Sequence, residues 1–421
     1  MVAGIVIGAG IFRAPADVAA LLPDTRAFIA LWLAGGIVAL AGAFTYLALV
    51  ARGSGIGGEY RFLVDGWGPR LGALFVWARM AVIQTGALAT VAFVAGDYLA
   101  TLLPGPAFAW ALATLVGVTL FNLLGLAPSA WAQRLVVGLV LVAMLGLMLA
   151  GFAVAVPTEA AAPGPPNPGL ALVFVMLVYG GWNEAAYLSG EVKGGAAGLR
   201  RGLVGGLLLV ILLYVGVNLA YVSALGLSGL AATPAPAEVI ARAAAGPVLG
   251  AAVALVVVLA ALSTLNVTTI TGARAMCALG QDMPRLGWLG QWDAGRAVPR
   301  TALLVQGAVA LALTALGGLT RDGFAAMVAF TAPVFWLFLA LVALVPLKQP
   351  GFRAAVRLAA LLFLAACLWM LWSSLGYAQF LASRGEIGGW LGFAGLLLLL
   401  PGLALSRAAP ARSGESARSR P

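Results

Sequence analysis

Tyr179-Gly180-Gly181-Trp182-Asn183-Glu184 interrupts an apolar run, Leu170–Val192, near its middle. Gly8-Ala9-Gly10-Ile11-Phe12, followed by Arg13 and Pro15, interrupts another at the start of the chain. Clustered glycines, an amide and charges are costly in a helix surrounded by lipid unless the helix comes apart there. The two interruptions fall in the first and sixth of twelve apolar stretches. Five is an odd number of crossings, so segments 1–5 and 6–10 would insert in opposite orientations, each half opening on a discontinuous helix.

The composition makes lipid the solvent. Of 421 residues, 63% are hydrophobic and only 9% are charged, and the mean hydropathy is +1.05. A soluble domain carries about 25% charged residues, so this chain has too thin a polar coat for water. With no histidine in the sequence, His-based catalytic triads and histidine-ligated metals or haem are excluded. Cys277 and Cys367 are the only cysteines, too few for a disulfide framework or a thiolate metal cluster. Neither Lys193 nor Lys348 completes a P-loop. No cofactor is expected.

Spanning a bilayer takes about 20 apolar residues. The twelve stretches are 1–22, 28–50, 70–102, 107–127, 132–155, 169–191, 199–225, 247–278, 301–318, 323–347, 355–383 and 388–406. Their length and unbroken character predict helices rather than barrel strands. With the N-terminus inside, 18 of the 24 basic residues fall on inner loops and the tail, and four on outer loops. That bias predicts a multi-pass protein of the cytoplasmic membrane with both termini cytoplasmic. It also accounts for the net charge of +10 without nucleic acid. The expected organisation is one transmembrane domain, 1–406, made of a first repeat (1–155), an inverted second repeat (169–347) and two extra helices (355–406). Val156–Gly169 reads as an external Pro-rich linker, and 407–421 as a disordered cytoplasmic tail.

Unwinding a helix at mid-membrane frees backbone N–H and C=O groups. A half-helix starting near Gly10 would offer N–H groups and a positive dipole end to an anion. The preceding half, ending near Val6, would offer carbonyls to a cation. Such a pair suits a zwitterion, and paired interruptions point to a transporter's binding site. Small-x-x-x-small spacing such as Gly4/Gly8 equally serves helix packing, but Asn183 and Glu184 in the second interruption favour a site. No strand precedes Gly8, so a dinucleotide fold is excluded.

The chain resembles the amino acid–polyamine–organocation permeases. Gly8-Ala9-Gly10-Ile11-Phe12 is similar to that family's first-helix motif, and Gly57-Gly58-Glu59-Tyr60 to its G-G-x-Y stretch. Tyr179–Lys193 is similar to its sixth-helix block, and Asn266–Arg274 with Asp282-Met283-Pro284 to the end of its eighth helix. The resemblance implies an all-α fold with a LeuT-type inverted repeat of five plus five helices and two more, and amino acid transport by alternating access. It assigns the substrate carboxylate to the backbone N–H groups around Gly8, at Ala9, Gly10 and Ile11. It assigns the ammonium to the carbonyls of Val6, Leu177 and Gly180. Trp182 and Asn183 would line the site or its gate, with Gln84 as a further pocket residue.

Three departures accompany the resemblance. Met1 lies only seven residues ahead of Gly8, so a truncated or misassigned start is expected. Val140 stands where many relatives place a lysine, so that lysine's cationic role does not transfer. Gly194–Gly198 replaces a Pro/Arg/Asn-rich turn. Glu184 is the proton-coupling candidate, or else pairs with an arginine. Glu191 is expected in an inner network with Arg201 or Arg274, while Arg79 and Asp97 are expected to snorkel to opposite interfaces. Ser263 and Thr264 are weak sodium ligands, whose usual alternative is a bond to their own helix. The expected activity is secondary transport of a small-molecule amino acid across the lipid bilayer, by proton symport or exchange, without enzymatic chemistry. A polyamine or organic-cation carrier, or a transport-inactive sensor or subunit, is the alternative.

Overall fold

The computed structural model describes residues 8–54, 58–125, 130–157, 165–186, 195–282 and 284–407. Val6, Glu191, Lys193, half of the Pro-rich linker (158–164) and the tail from Ala408 lie outside them. Among the described residues the chain is helical, and nine helices are long and apolar enough to cross a membrane. Ala107–Leu123 and Pro168–Val178 are shorter apolar helices.

Helix boundaries follow local chemistry. After α1 (Ala14–Ala20), α2 (Thr25–Leu49) is capped by Asp24, whose carboxylate accepts the Ala27 N–H at 2.8 Å. Next come the short α3 (Gly58–Trp67) and α4 (Pro69–Ala78). A π turn over Arg79–Ile83 joins α4 to α5 (Gln84–Leu102) within the third apolar stretch. Then follow α6 (Ala107–Leu123) and α7 (Ala130–Ala153). Pro168 opens α8 (Pro168–Val178), and Asn167 caps it.

The second half contains α9 (Gly195–Ala231), bent at Gly226, where φ is +68°. In α10 (Pro236–Asp282) Gly246, at φ +82° and followed by Pro247, separates a short arm from the long helix. The eighth segment is therefore longer than its apolar run. Next are α11 (Arg300–Gly317), α12 (Gly323–Lys348) and α13 (Ala354–Ser383). The last stretch divides into α14 (Ile387–Leu397) and α15 (Leu399–Arg407). Pro401 lacks the N–H that would bond the Leu397 carbonyl, so the helix breaks there.

α8 sits at the centre. Leu170 through Met176 are all buried, as expected of a helix apolar on every face. It packs on α1, α2 and α13. Trp32 of α2, Tyr179 and Tyr214 of α9 form a buried aromatic group, with ring centroids 5.3–6.3 Å apart. α7 and α13 are peripheral, presenting side chains such as Leu149 and Trp372 outward, as a lipid-facing surface requires.

Candidate functional site

Both interrupted stretches depart from α-helix in the structure. Gly8 is extended (φ −113°, ψ 178°), Ala9–Phe12 form a 3-10 turn, and α1 begins only after Arg13. In the sixth segment α8 ends at Val178, Gly181 takes φ +92°, and Asn183–Ala186 form a 3-10 turn. A positive φ is costly for any side-chain-bearing residue, which explains the second glycine of the pair.

The first interruption packs against the residue that precedes the second. A Cβ on Gly10 would lie 3.3 Å from Val178 Cγ2, and one on Gly8 would lie 3.9 Å from Thr264 Oγ1. Ala9 and Ile11 are buried, and the Phe12 carbonyl accepts the Tyr98 hydroxyl at 2.7 Å. In the facing stretch the Leu177 carbonyl accepts the Gly180 N–H at 3.2 Å. A carbonyl oxygen has a second lone pair, so this turn does not exhaust Leu177.

Other sequence-selected residues make contacts of their own. Trp182, 3% exposed, packs its indole on Gly42, Tyr46 and Phe363. Its ring centroids are 5.0 Å from Tyr46 and 5.6 Å from Phe363. Gln84 is buried and ties α5 to α10, donating to the Thr268 carbonyl at 2.9 Å and Thr271 Oγ1 at 3.2 Å. Thr264 donates to the Ala260 carbonyl of its own helix at 3.0 Å. Ser263 faces an apolar cavity of about 370 Å³ lined by α6, α7 and α10.

Charge clusters flank the interruptions. The Arg13 guanidinium meets three carboxylates: Asp17 at 2.6 Å, Asp97 at 2.8 Å and Asp322 at 2.5 Å. Asp322 also caps α12 through the Ala325 N–H at 3.0 Å. The group borders an open cavity of about 480 Å³. Arg79 donates to both oxygens of Glu184, at 2.9 and 3.0 Å, and approaches Glu59 at 3.7 Å. Arg79 and Asp97 are 18 residues apart on one nearly continuous helical stretch, about 27 Å at 1.5 Å per residue. The clusters therefore lie at opposite ends of the third segment.

Arg79 and Asp97 do not snorkel. Their side chains are 13% and 17% exposed and ion-paired, because a charge left inside a bundle is cheaper to pair than to extend. Glu184 takes the arginine-paired arrangement. Glu59, 2% exposed, accepts the Asn183 amide at 2.8 Å and the Tyr46 hydroxyl at 3.3 Å. The motif reading passed over Glu59 although it lies inside the G-G-x-Y stretch. The Arg13–Asp17 pair had a usable signal in its i, i+4 spacing. Asp97 and Asp322 had none, since their contacts to Arg13 cross 84 and 309 residues.

Known proteins share this sequence pattern. The serine/threonine exchanger SteT of Bacillus subtilis is 25% identical over 234 residues, 52% of either chain, so the aligned region spans about half of that relative. The b(0,+)-type amino acid transporter 1 of Oryctolagus cuniculus is 24% identical over 333 residues, 74% of this chain and 67% of the relative. An uncharacterised transporter of Mycobacterium bovis is 29% identical over 325 residues, 74% of this chain and 71% of that one. The family profile described as amino acid permease matches residues 1–392. With both interrupted stretches inside that match, the chain belongs to the amino acid permease family.

Proposed function

We propose that this protein is a secondary transporter that carries amino acids across the cytoplasmic membrane by alternating access, with both termini cytoplasmic. The observation that carries the reading is the contact of the first non-α stretch, Gly8–Phe12, with the end of α8 just before the second, Tyr179–Ala186, where Gly10 faces Val178. Backbone N–H groups of Ala9, Gly10 and Ile11 would hold the carboxylate, and the carbonyls of Val6, Leu177 and Gly180 the ammonium. Amide donors at the start of a helical turn favour an anion, and glycine lets a ligand approach the main chain closely.

The inverted repeat, 1–155 against 169–347, supplies the moving parts in this reading. A unit containing the interrupted stretches rocks against the third and eighth segments. The ion pairs of Arg13 with Asp97 and Asp322 then close one face, and those of Arg79 with Glu184 belong to the other. Substrate binding shifts the balance between states, and no covalent step is needed. The positive-inside bias supports the orientation, and the amino acid substrates in the names of two relatives support the substrate class.

The test is uptake of a radiolabelled amino acid panel into proteoliposomes, with pH and sodium gradients imposed separately. Uptake of at least one amino acid, with competition by others, is the expected result. Flux of a diamine lacking a carboxylate, without amino acid flux, would instead identify an organic-cation carrier. Ligand-induced thermal stabilisation without any flux would identify a sensor. Dependence on the pH gradient alone would assign proton symport, and counter-flow without a gradient would assign exchange.

A further inference from the structure

Glu59 is the second residue of α3 and is 2% exposed. A buried carboxylate is costly unless donors surround it. Its named partners come from three other elements: Asn183 Nδ2 donates at 2.8 Å from the sixth-segment interruption, the Tyr46 hydroxyl donates at 3.3 Å from α2, and Arg79 Nη1 of the π turn is ion-paired at 3.7 Å. The same guanidinium reaches Glu184, the residue after Asn183, at 2.9 Å. One arginine thus links two carboxylates on different elements, and Glu59 grips the residue between Trp182 and Glu184.

α3 is itself anchored at its other end. Trp67 Nε1 donates to the Leu341 carbonyl at 3.0 Å, and Gln349 Nε2 to the Asp65 carbonyl at 3.1 Å. The Lys348 ammonium sits 3.5 Å over the Trp67 ring. The helix therefore holds α12 and the interrupted stretch at once. Moving that stretch away from α3 takes Asn183, one of its donors, from a buried carboxylate. The satisfaction of Glu59 depends on conformation, which is what a latch requires.

We propose that Glu59 is a positioning residue, which latches the sixth-segment interruption through Asn183 and Arg79 and keeps the protein closed on the face where α3 lies. The proposal deepens the transporter reading and rests on it. It is tested with the full chain in oriented membrane vesicles, in a background of Cys277→Ser and Cys367→Ala, with Thr264→Cys as a reporter beside Gly8. A membrane-impermeant thiol reagent is applied from each face in turn.

Glu59→Gln keeps an oxygen for Asn183 and Tyr46 but removes the charge that holds Arg79. Labelling from the α3 face is expected to rise at least about fivefold, the lower end of a typical coupling between sites. Labelling from the opposite face should not rise, and Glu59→Asp should return most of the original rate. If Glu59→Gln fails to insert, Asn183→Leu removes the other link of the latch, from the interrupted stretch to Glu59, and is expected to give the same one-sided rise. An unchanged rate, or an equal rise from both faces, would overturn the latch. Amino acid uptake by the unsubstituted protein in the same vesicles separates the two ideas. Absence of uptake counts against the transporter reading, whereas uptake with unaltered labelling counts against Glu59 alone.

Discussion

Gly10 faces Val178 so closely that a Cβ at position 10 would sit 3.3 Å from Val178 Cγ2. These residues are 168 positions apart in the sequence, yet each lies beside an interruption of a helix. Their contact joins the two places where main-chain groups are released from α-helical bonding. Gly10→Val would force a branched side chain into that contact and into the space assigned to the carboxylate. Uptake in proteoliposomes should be abolished while the variant still inserts and purifies. Normal accumulation by this variant would sink the site assignment.

Arg13 serves three carboxylates from a side chain only 6% exposed. Arg13→Met leaves Asp17, Asp97 and Asp322 without the cation that pairs with all three. Breaking a buried pair on one side costs about 3–5 kcal/mol, so a large drop in thermal unfolding temperature is expected. Asp322, with its side chain 40% exposed, can be hydrated. Asp322→Asn should therefore lower the unfolding temperature less than Asp17→Asn, whose side chain is 11% exposed. The reverse order, read by scanning fluorimetry in detergent, would contradict this arrangement.

Trp182 and Gly42 act at a single contact, because the indole occupies the space a Gly42 side chain would need. Trp182→Ala should cost about 3–5 kcal/mol, the usual range for emptying a large aromatic site. Gly42→Leu should destabilise by collision with the same ring. Combining the two changes should cost less than the sum of the separate costs, since the leucine can enter the vacated space. Unfolding temperatures of the four proteins form the measurement, and strict additivity would show that the two residues are independent.

Gln84 donates to α10 through its amide, at the Thr268 carbonyl and the Thr271 hydroxyl. Gln84→Leu retains the volume and loses both bonds, each worth about 0.5–1.5 kcal/mol net. A moderate fall in stability is expected, with the order of preference among amino acids kept. A changed order of preference in a competition panel would move Gln84 from a brace between helices to the pocket wall.

The lipid-spanning fold was legible because its two signals are local. The number of apolar residues per run measures whether a helix can cross a bilayer, and glycine or proline marks where one must stop. Both interruptions were therefore readable from Gly8–Phe12 and Tyr179–Glu184. The break at Leu398, ahead of Pro401, carries the same kind of signal but was hidden inside the stretch 388–406 read as continuous, while the bend at Gly226 falls just past the end of the stretch 199–225. The π turn over Arg79–Ile83 had no compositional mark, since its residues also suit an ordinary helix.

The sequence by itself determined that the chain lives in lipid, that it does so as helices, and where two of them open. Apolar length, glycine and loop charge act on their immediate surroundings and need no partner. Only the tertiary structure decided which side chains those openings meet. It put Val178 and Thr264 beside the glycines, turned Trp182 toward Gly42, and gave Asn183 to Glu59. These pairings join residues that no helical spacing relates, and they form because the packed bundle leaves a polar group no water to bind and only a few neighbours within reach.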